Sequence, residues 1–328
     1  PPRSTLFPYT TLFRSQAIER REMIMIHGDY DVDGITGAAL LARTFEKLNG
    51  RFLTFLPNRK KDGYGVSGEA IRDGKEKGAS LLITVDCGVS AFEEVKEANA
   101  LGMDVIIIDH HRIHGNVPDA FAVLNPLQDS CQYPFKELSA CGLAFKLSQA
   151  LLGKAAHEFL DLVALSSVCD IAPLTDENRI FVSLGLETLS QRRQLGLRSL
   201  CEVAGLKRKK IQASDLGFIL GPRINASGRM SSPDSALKLL TTHDTSEAQA
   251  LASVLDNENR ARQKEEQALL KQALQRVERE INFSRDRIIV VSGDGWHEGV
   301  LGIIAQRLVE HYSRPAIGIA FNGERGKG

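Results

Sequence analysis

The chain is poor in cysteine and tryptophan and carries no excess charge of either sign. Its 328 residues include five cysteines, Cys87, Cys131, Cys141, Cys169 and Cys201. The number is odd and no CxxC pair occurs, which argues against a disulfide framework or a structural zinc site. A reducing compartment, the cytoplasm, is expected. Basic and acidic side chains are equal at 41 each, so the formal net charge is zero. A globally basic nucleic-acid binder is not indicated, although local patches stay open. No apolar run approaches the ~18 residues of a membrane helix, so no membrane partner is expected.

The length fits about two domains. Residues 1–16, PPRSTLFPYTTLFRSQ, repeat TLF and lack the apolar stretch of a signal peptide. They resemble translated adaptor sequence and are set apart as non-native. At the other end, GERGKG follows directly on a strand-like run, and both ends read as those of a fragment. Between them, short apolar runs alternate with helical patterns: Met23–Ile26, 36–48, 52–56, 81–85, 91–100, 105–108 and 121–124. Near-continuous Val/Ile/Leu strands in β-α-β alternation indicate an α/β domain with a parallel sheet covered on both faces. Its predicted extent is 17–243. A long charged helix is predicted within 244–283, with an apolar stripe at Leu270, Leu274, Val277 and Ile281. A second, smaller and incomplete α/β domain is predicted to occupy 284–328.

The densest chemistry follows the first strand. His27-Gly28-Asp29-Tyr30-Asp31-Val32-Asp33-Gly34 sets a histidine and three carboxylates at a strand's carboxyl end. In open α/β sheets the ligand crevice lies there. Crowded carboxylates repel and lose solvation, and a bound dication relieves both costs. Asp86, then Asp109-His110-His111, end further predicted strands, and Asp170 ends a helix before Pro173. Mixed carboxylate and imidazole donors suit Mn²⁺ better than Mg²⁺. A lone strand-end carboxylate such as Asp86 could bridge two ions, and such a pair would clamp an in-line displacement at phosphorus. Helix capping explains Asp29 or Asp170 equally well when either is taken alone.

HGDYDVDG at 27–34, TVDCG at 84–88, DHH at 109–111 and SVCDIAPL at 167–174 resemble, in order and spacing, the four motifs of the DHH phosphoesterase superfamily. GPRINASGR at 221–229 and SGDGWHEGVLGIIAQRL at 292–308 resemble its single-strand-specific 5′→3′ exonuclease branch. The resemblance implies hydrolysis of single-stranded DNA to mononucleotides in repair and recombination, with two Mn²⁺ ions and Mg²⁺ as a substitute. It implies Asp31 and Asp86 at one ion, with His27 as an additional candidate ligand. Asp33, Asp86, His110 and Asp170 fall at the other. Asp29 and Asp109 fall behind the ligands, and His111 against the scissile phosphate. It also implies a monomer, with single-strand-binding protein or helicase partners.

For substrate, Arg223, Asn225, Ser227, Gly228 and Arg229 combine guanidinium, amide, hydroxyl and flexible backbone suited to phosphate. His297 opens a helix whose N–H groups could hold an anion. Arg59 and Tyr64, in Arg59-Lys60-Lys61-Asp62-Gly63-Tyr64, suit charge and stacking along a strand, and an exposed charge run explains them equally. Two other activities fit the motifs. One is a phosphoesterase of short oligonucleotides or cyclic dinucleotides; the other is an inactive DNA-binding scaffold.

Overall fold

The computed structural model describes residues 20–59 and 61–328. The expectation of foreign sequence at 1–16 lies outside them, as does Lys60. The chain divides into two compact units, one running to Gly228 with Ser232–Asp256, the other formed by Arg229–Ser231 and Asn257–Gly328.

The first unit is built on five strands: β1 (Met23–Gly28), β2 (Arg51–Phe55), β3 (Ala79–Val85), β4 (Asp104–Ile108) and β5 (Ala122–Leu124). They pair in the order β2-β1-β3-β4-β5, and every pair is parallel. The parallel sheet read from the sequence is therefore present. Adjacent residues on the central strands point to opposite faces, yet both sets are buried. Ile24, Ile26, Leu81 and Ile83 join one core; Met25, Leu82, Val105 and Ile107 join another. Helices α1 (Val32–Lys47), α4 (Ala140–Leu152) and α5 (Leu160–Cys169) contribute to the first, while α2 (Gly68–Glu76) and α3 (Phe92–Ala100) contribute to the second. This is why the strands read as continuous apolar runs rather than alternating ones. The order reverses direction between β1 and β3, and an open sheet of this order carries its crevice at that switch point.

After α5 come α6 (Asp176–Ser190) and α7 (Leu195–Val203), a helical turn at Ala213–Asp215, and a π-helical stretch at Leu216–Leu220. That stretch runs directly into α8 (Gly221–Met230), followed by α9 (Asp234–Thr241). GPRINASGR is thus a helix, where flexible loop backbone was expected. The helical backbone is continuous from 213 to 230, so Pro222 lies inside it. Its ring would meet the carbonyl four residues back. The turn before it is widened, with Gly221 N–H bonding to the Leu216 carbonyl.

Helix α10 spans Thr245–Glu280 and is shared by the two units. Ala248, Ala252 and Leu255 are buried in the first core; Leu269, Ala273 and Val277 are buried in the core of the second. Of the expected stripe, Val277 is buried, and Leu270, Leu274 and Ile281 pack partly buried against the same core. The second unit adds β6 (Ile289–Asp294), α11 (Glu298–Tyr312), β7 (Ala316–Asn322) and β8 (Arg325–Lys327). Its sheet order is β6-β7-β8, with β8 antiparallel. Among the described residues, no helix is long and apolar enough to cross a membrane.

Candidate metal centre

The loop from β1 to α1 is tight because Gly34 has no side chain. A Cβ there would lie 2.4 Å from the Asp29 nitrogen. Asp31 caps α1, its Oδ1 accepting from Asp33 N–H at 2.9 Å and Gly34 N–H at 3.2 Å. Asp33, buried in the first turn, is fixed from elsewhere. It accepts from Ala140 N–H at 2.7 Å and Cys141 N–H at 2.8 Å, the opening amides of α4, and from Ser166 Oγ of α5 at 2.6 Å. Ordinary capping explains Asp31 in part; it does not explain what the pair faces.

Asp86 follows β3 with φ at +64°, a left-handed conformation that aspartate tolerates better than most residues. It is buried, and its Oδ1 lies 3.2 Å from His110 Nε2 without a hydrogen bond. His110 Nε2 also lies 3.6 Å from Asp33 Oδ2 and 3.7 Å from Asp170 Oδ2. Three sets of donor atoms lie within 4.8 Å of one another: Asp29–Asp31–Asp86, Asp33–His110–Asp170, and Asp86–His110–His111. Asp86 belongs to two of them.

The electrostatics are those of a site short of positive charge. Burial raises the Asp29 carboxyl to about 7, with the Asp31 charge adding to it. Burial and then Asp33 raise Asp31. Burial lifts Asp86 well above the carboxylate range, and Asp33, Asp31, Asp29 and Asp109 all push the same way. Asp170 is raised to about 6, chiefly by burial. The carboxylate oxygens Asp29 Oδ1 and Asp86 Oδ1 are buried without a hydrogen-bond partner. Unsatisfied buried acceptors are costly and uncommon in folded proteins. Divalent cations fit this donor set, satisfying the orphaned oxygens and relieving the repulsion.

Asp109 stands behind the cluster. It accepts from Val89 N–H and His111 N–H at 3.0 Å each, and pairs with His111 Nδ1 at 2.7 Å. That pairing raises the His111 pKa, and the ring is half-exposed. His27 is placed differently. Its ring is fully buried, Nε2 accepts from Ser67 N–H at 3.1 Å, and Nδ1 faces Cys87 Sγ at 3.9 Å. Burial lowers its pKa to about 4. With its Nε2 lone pair engaged, His27 falls in none of the three donor sets.

Of the expected substrate contacts, those on α8 are largely occupied. Arg223 pairs with Asp256 at 2.9 Å, Asn225 Oδ1 accepts from Val32 N–H at 3.1 Å, and Ser227 donates to the Ile224 carbonyl. Gly228 lies against the Tyr30 carbonyl, 2.4 Å from where a Cβ would stand. Arg59 lies over the Tyr30 ring at 5.0 Å, and Tyr64 meets that ring edge-on at 6.3 Å. Tyr30 was missed in the sequence, although it sits inside the acidic motif. Tyr64, Cys87, Gly88, Asp109 and His111 line a cavity of about 300 Å³. In the second unit, Gly299 joins the two remaining candidates. Arg229 Nη1 donates to its carbonyl and its N–H donates to His297 Nδ1, both at 3.2 Å. His297 therefore itself caps α11, and that amide is not open to an anion.

A parallel sheet with carboxylates and imidazoles converging at its switch point defines an α/β protein built around a divalent-metal centre. Residues 23–167 match the DHH family, N-terminal domain. The chain is 44% identical over 311 residues to the single-stranded-DNA-specific exonuclease RecJ of Bacillus subtilis, covering 95% of this chain and 39% of that protein. Its fold matches the crystal structure of an exonuclease RecJ bound to manganese. The TM-score is 0.85 and the identity 33%, over 96% of this chain and 81% of that one. It also matches RecJ of Thermus thermophilus in complex with Mg²⁺, with a TM-score of 0.74, 29% identity, and coverage of 97% and 44%. The chain belongs to the RecJ family of DHH-domain proteins. It spans well under two thirds of the length of the full-length relatives it matches, 39% for the Bacillus protein and 56% for that of Escherichia coli.

Proposed function

We propose that the chain is the catalytic part of a single-stranded-DNA-specific 5′→3′ exonuclease that releases mononucleotides, acting in DNA repair and recombination in the cytoplasm. The observation that carries this is Asp86, a buried carboxylate with an orphaned oxygen shared by two donor sets. Asp31 and Asp86, with Asp29 beside them, would hold one divalent ion; Asp33, Asp86, His110 and Asp170 would hold a second. Mn²⁺ suits this mixture of donors, and Mg²⁺ substitutes. Bound there, the ions would supply Lewis acidity and lower the pKa of an attacking water.

The chain's own residues do the rest. Asp33 is aimed by the opening amides of α4, so its carboxylate keeps its place without substrate. His111, its pKa raised by Asp109, would donate to a non-bridging phosphate oxygen. Arg59, Tyr30 and Tyr64 give charge and ring faces to the strand, contacts that read no sequence. Manganese- and magnesium-bound relatives and a single-stranded-DNA-specific relative support the reading. The 5′→3′ polarity follows the family.

The test is digestion of a 3′-labelled single strand with Mn²⁺, beside the matched duplex and Asp86→Ala. Progressive shortening of the single strand alone, lost in the variant, is expected. Cleavage of very short oligonucleotides only would move the chain to the small-substrate phosphoesterases, and metal binding without turnover would favour a scaffold. Arg229→Ala is expected to raise KM several-fold with metal content unchanged by elemental analysis; an unchanged KM would remove Arg229 from the substrate path.

A further inference from the structure

Ile171 and Phe218 are 87% and 83% exposed, the two most exposed large hydrophobic side chains among the described residues. Scattered exposed apolar residues are ordinary. Ile171 follows directly on the carboxyl end of α5, where Asp170 sits, and Phe218 lies on a segment that packs against that helix end. Helix α5 ends in a six-residue reversal. Ala172 N–H bonds to the Ser167 carbonyl at 3.0 Å, and Ile171 N–H to the Val168 carbonyl at 3.3 Å. This is the Schellman arrangement, whose penultimate residue is left-handed and is usually glycine. Here it is Ile171, at φ +58°. A β-branched residue at positive φ is an outlier that costs free energy. Neither burial nor backbone conformation accounts for isoleucine at this position.

Phe218 lies on the π-helical stretch 216–220. That stretch is pinned to the same helix end. Cys169 Sγ bonds to the Leu216 carbonyl at 3.5 Å, and a Cβ on Gly217 would lie 3.4 Å from Val168 Cγ1. Just beyond it, Asn225 bonds to Val32 at the start of α1. Phe218 is therefore carried on a segment anchored at both ends to the elements that bear Asp170, Asp31 and Asp33. Widened helical turns of this kind recur at functional sites.

We propose that Ile171 and Phe218 form an apolar platform that receives nucleobases of the single strand beside the reacting phosphate. This rests on the reading of the chain as a single-strand nuclease. The occupant follows from position. Ile171 is the next residue after a carboxylate of the metal centre, so whatever covers it lies within a nucleotide or so of the phosphate. The group of a single strand that gains from an apolar surface is the face of its base. The bases of a duplex turn those faces inward, so the platform favours unpaired strands without reading sequence.

The test compares a 5′-phosphorylated oligothymidine with an abasic oligomer of the same length and backbone. Binding by fluorescence anisotropy and KM with Mn²⁺ are both measured in the full chain, Ile171→Asn and Phe218→Ser. The unsubstituted chain should prefer the base-bearing strand by on the order of tenfold, from one or two stacked bases. The preference should fall towards one in each variant. Asparagine accepts left-handed φ, so Ile171→Asn should also raise Tm by a few degrees while weakening the strand. An unaltered preference in both variants overturns the platform. So does a fall in Tm for Ile171→Asn, which would mean that protein rather than DNA covers the side chain. Absence of turnover in the unsubstituted chain would count against the nuclease reading, and the anisotropy comparison would still decide the platform.

Discussion

Asp161 and Asp86 are both buried aspartates of the first unit, and burial raises both. Their neighbours differ. At Asp161 burial lifts the carboxyl to about 6, while the Arg43 charge and the Leu162 N–H, which donates at 2.8 Å, pull it back. At Asp86 four further aspartates push in the same direction as burial. At Asp161 a nearby guanidinium charge offsets part of the burial cost. A buried acid facing four other acids, with one oxygen lacking a hydrogen bond, favours a bound cation. The sign of the surroundings, not burial, separates a structural aspartate from a candidate ligand.

The largest expected effect breaks the comparison on its functional side. Asp86→Asn keeps shape and suits the left-handed backbone while removing the charge. Hydrolysis should fall by about three orders of magnitude or more, as the several kcal/mol supplied by metal chemistry are lost. The metal-free protein should nevertheless melt at a higher temperature, because repulsion is relieved. A lower Tm in EDTA would mean that Asp86 is held as a satisfied structural acid. Asp161→Asn should raise the melting point less than Asp86→Asn does, because the Arg43 charge and the Leu162 N–H already offset part of the burial cost of the carboxylate; urea melts would read the difference. Activity per folded molecule should be retained; a large loss would tie Arg43 and Asp161 to catalysis.

The pH response sharpens the contrast. Asp29 at about 7 and Asp170 at about 6 both lie above the ordinary carboxylate value of 3.8. A group with a raised folded pKa binds its proton more tightly when folded. Its stabilisation is complete below about pH 4 and is lost as pH rises through 6 to 7. EDTA-treated protein should therefore lose Tm between pH 5 and pH 8, and saturating Mn²⁺ should flatten or reverse the slope. A flat profile in EDTA would remove the carboxylate repulsion from the account. The smallest effect is expected for Asn225→Ala, about 1 kcal/mol from the lost acceptor for Val32 N–H. Calorimetry would read it, and a tenfold loss of activity with unchanged Tm would make Asn225 a substrate contact instead.

The sheet was legible in the sequence because each central strand is apolar on both faces. The carboxylates were legible because they follow those runs directly. What escaped was long-range. That Asp33 would be aimed by Ala140 and Cys141 amides, 107 and 108 residues away, has no local signature. His27 was only a candidate ligand, and its partner, Ser67 N–H, is 40 residues off and invisible locally. GPRINASGR looked like a loop because two glycines and a proline outweigh helical preference locally. In the fold, Pro222 follows a widened turn, and Gly228 is the residue that lets α8 approach Tyr30. Ile171 at a position normally given to glycine could not be seen without the backbone.

The bonding of Asp33 has a consequence for the order of assembly. One carboxylate closes contacts to residues 107, 108 and 133 positions along the chain, joining α1 to the start of α4 and the body of α5. Contacts of such sequence separation form late, because closing large loops is slow. The nascent chain displays its acidic motif early, yet the full donor set exists only once three helices have docked. A metal ion held by this full set would be captured only after those helices have docked.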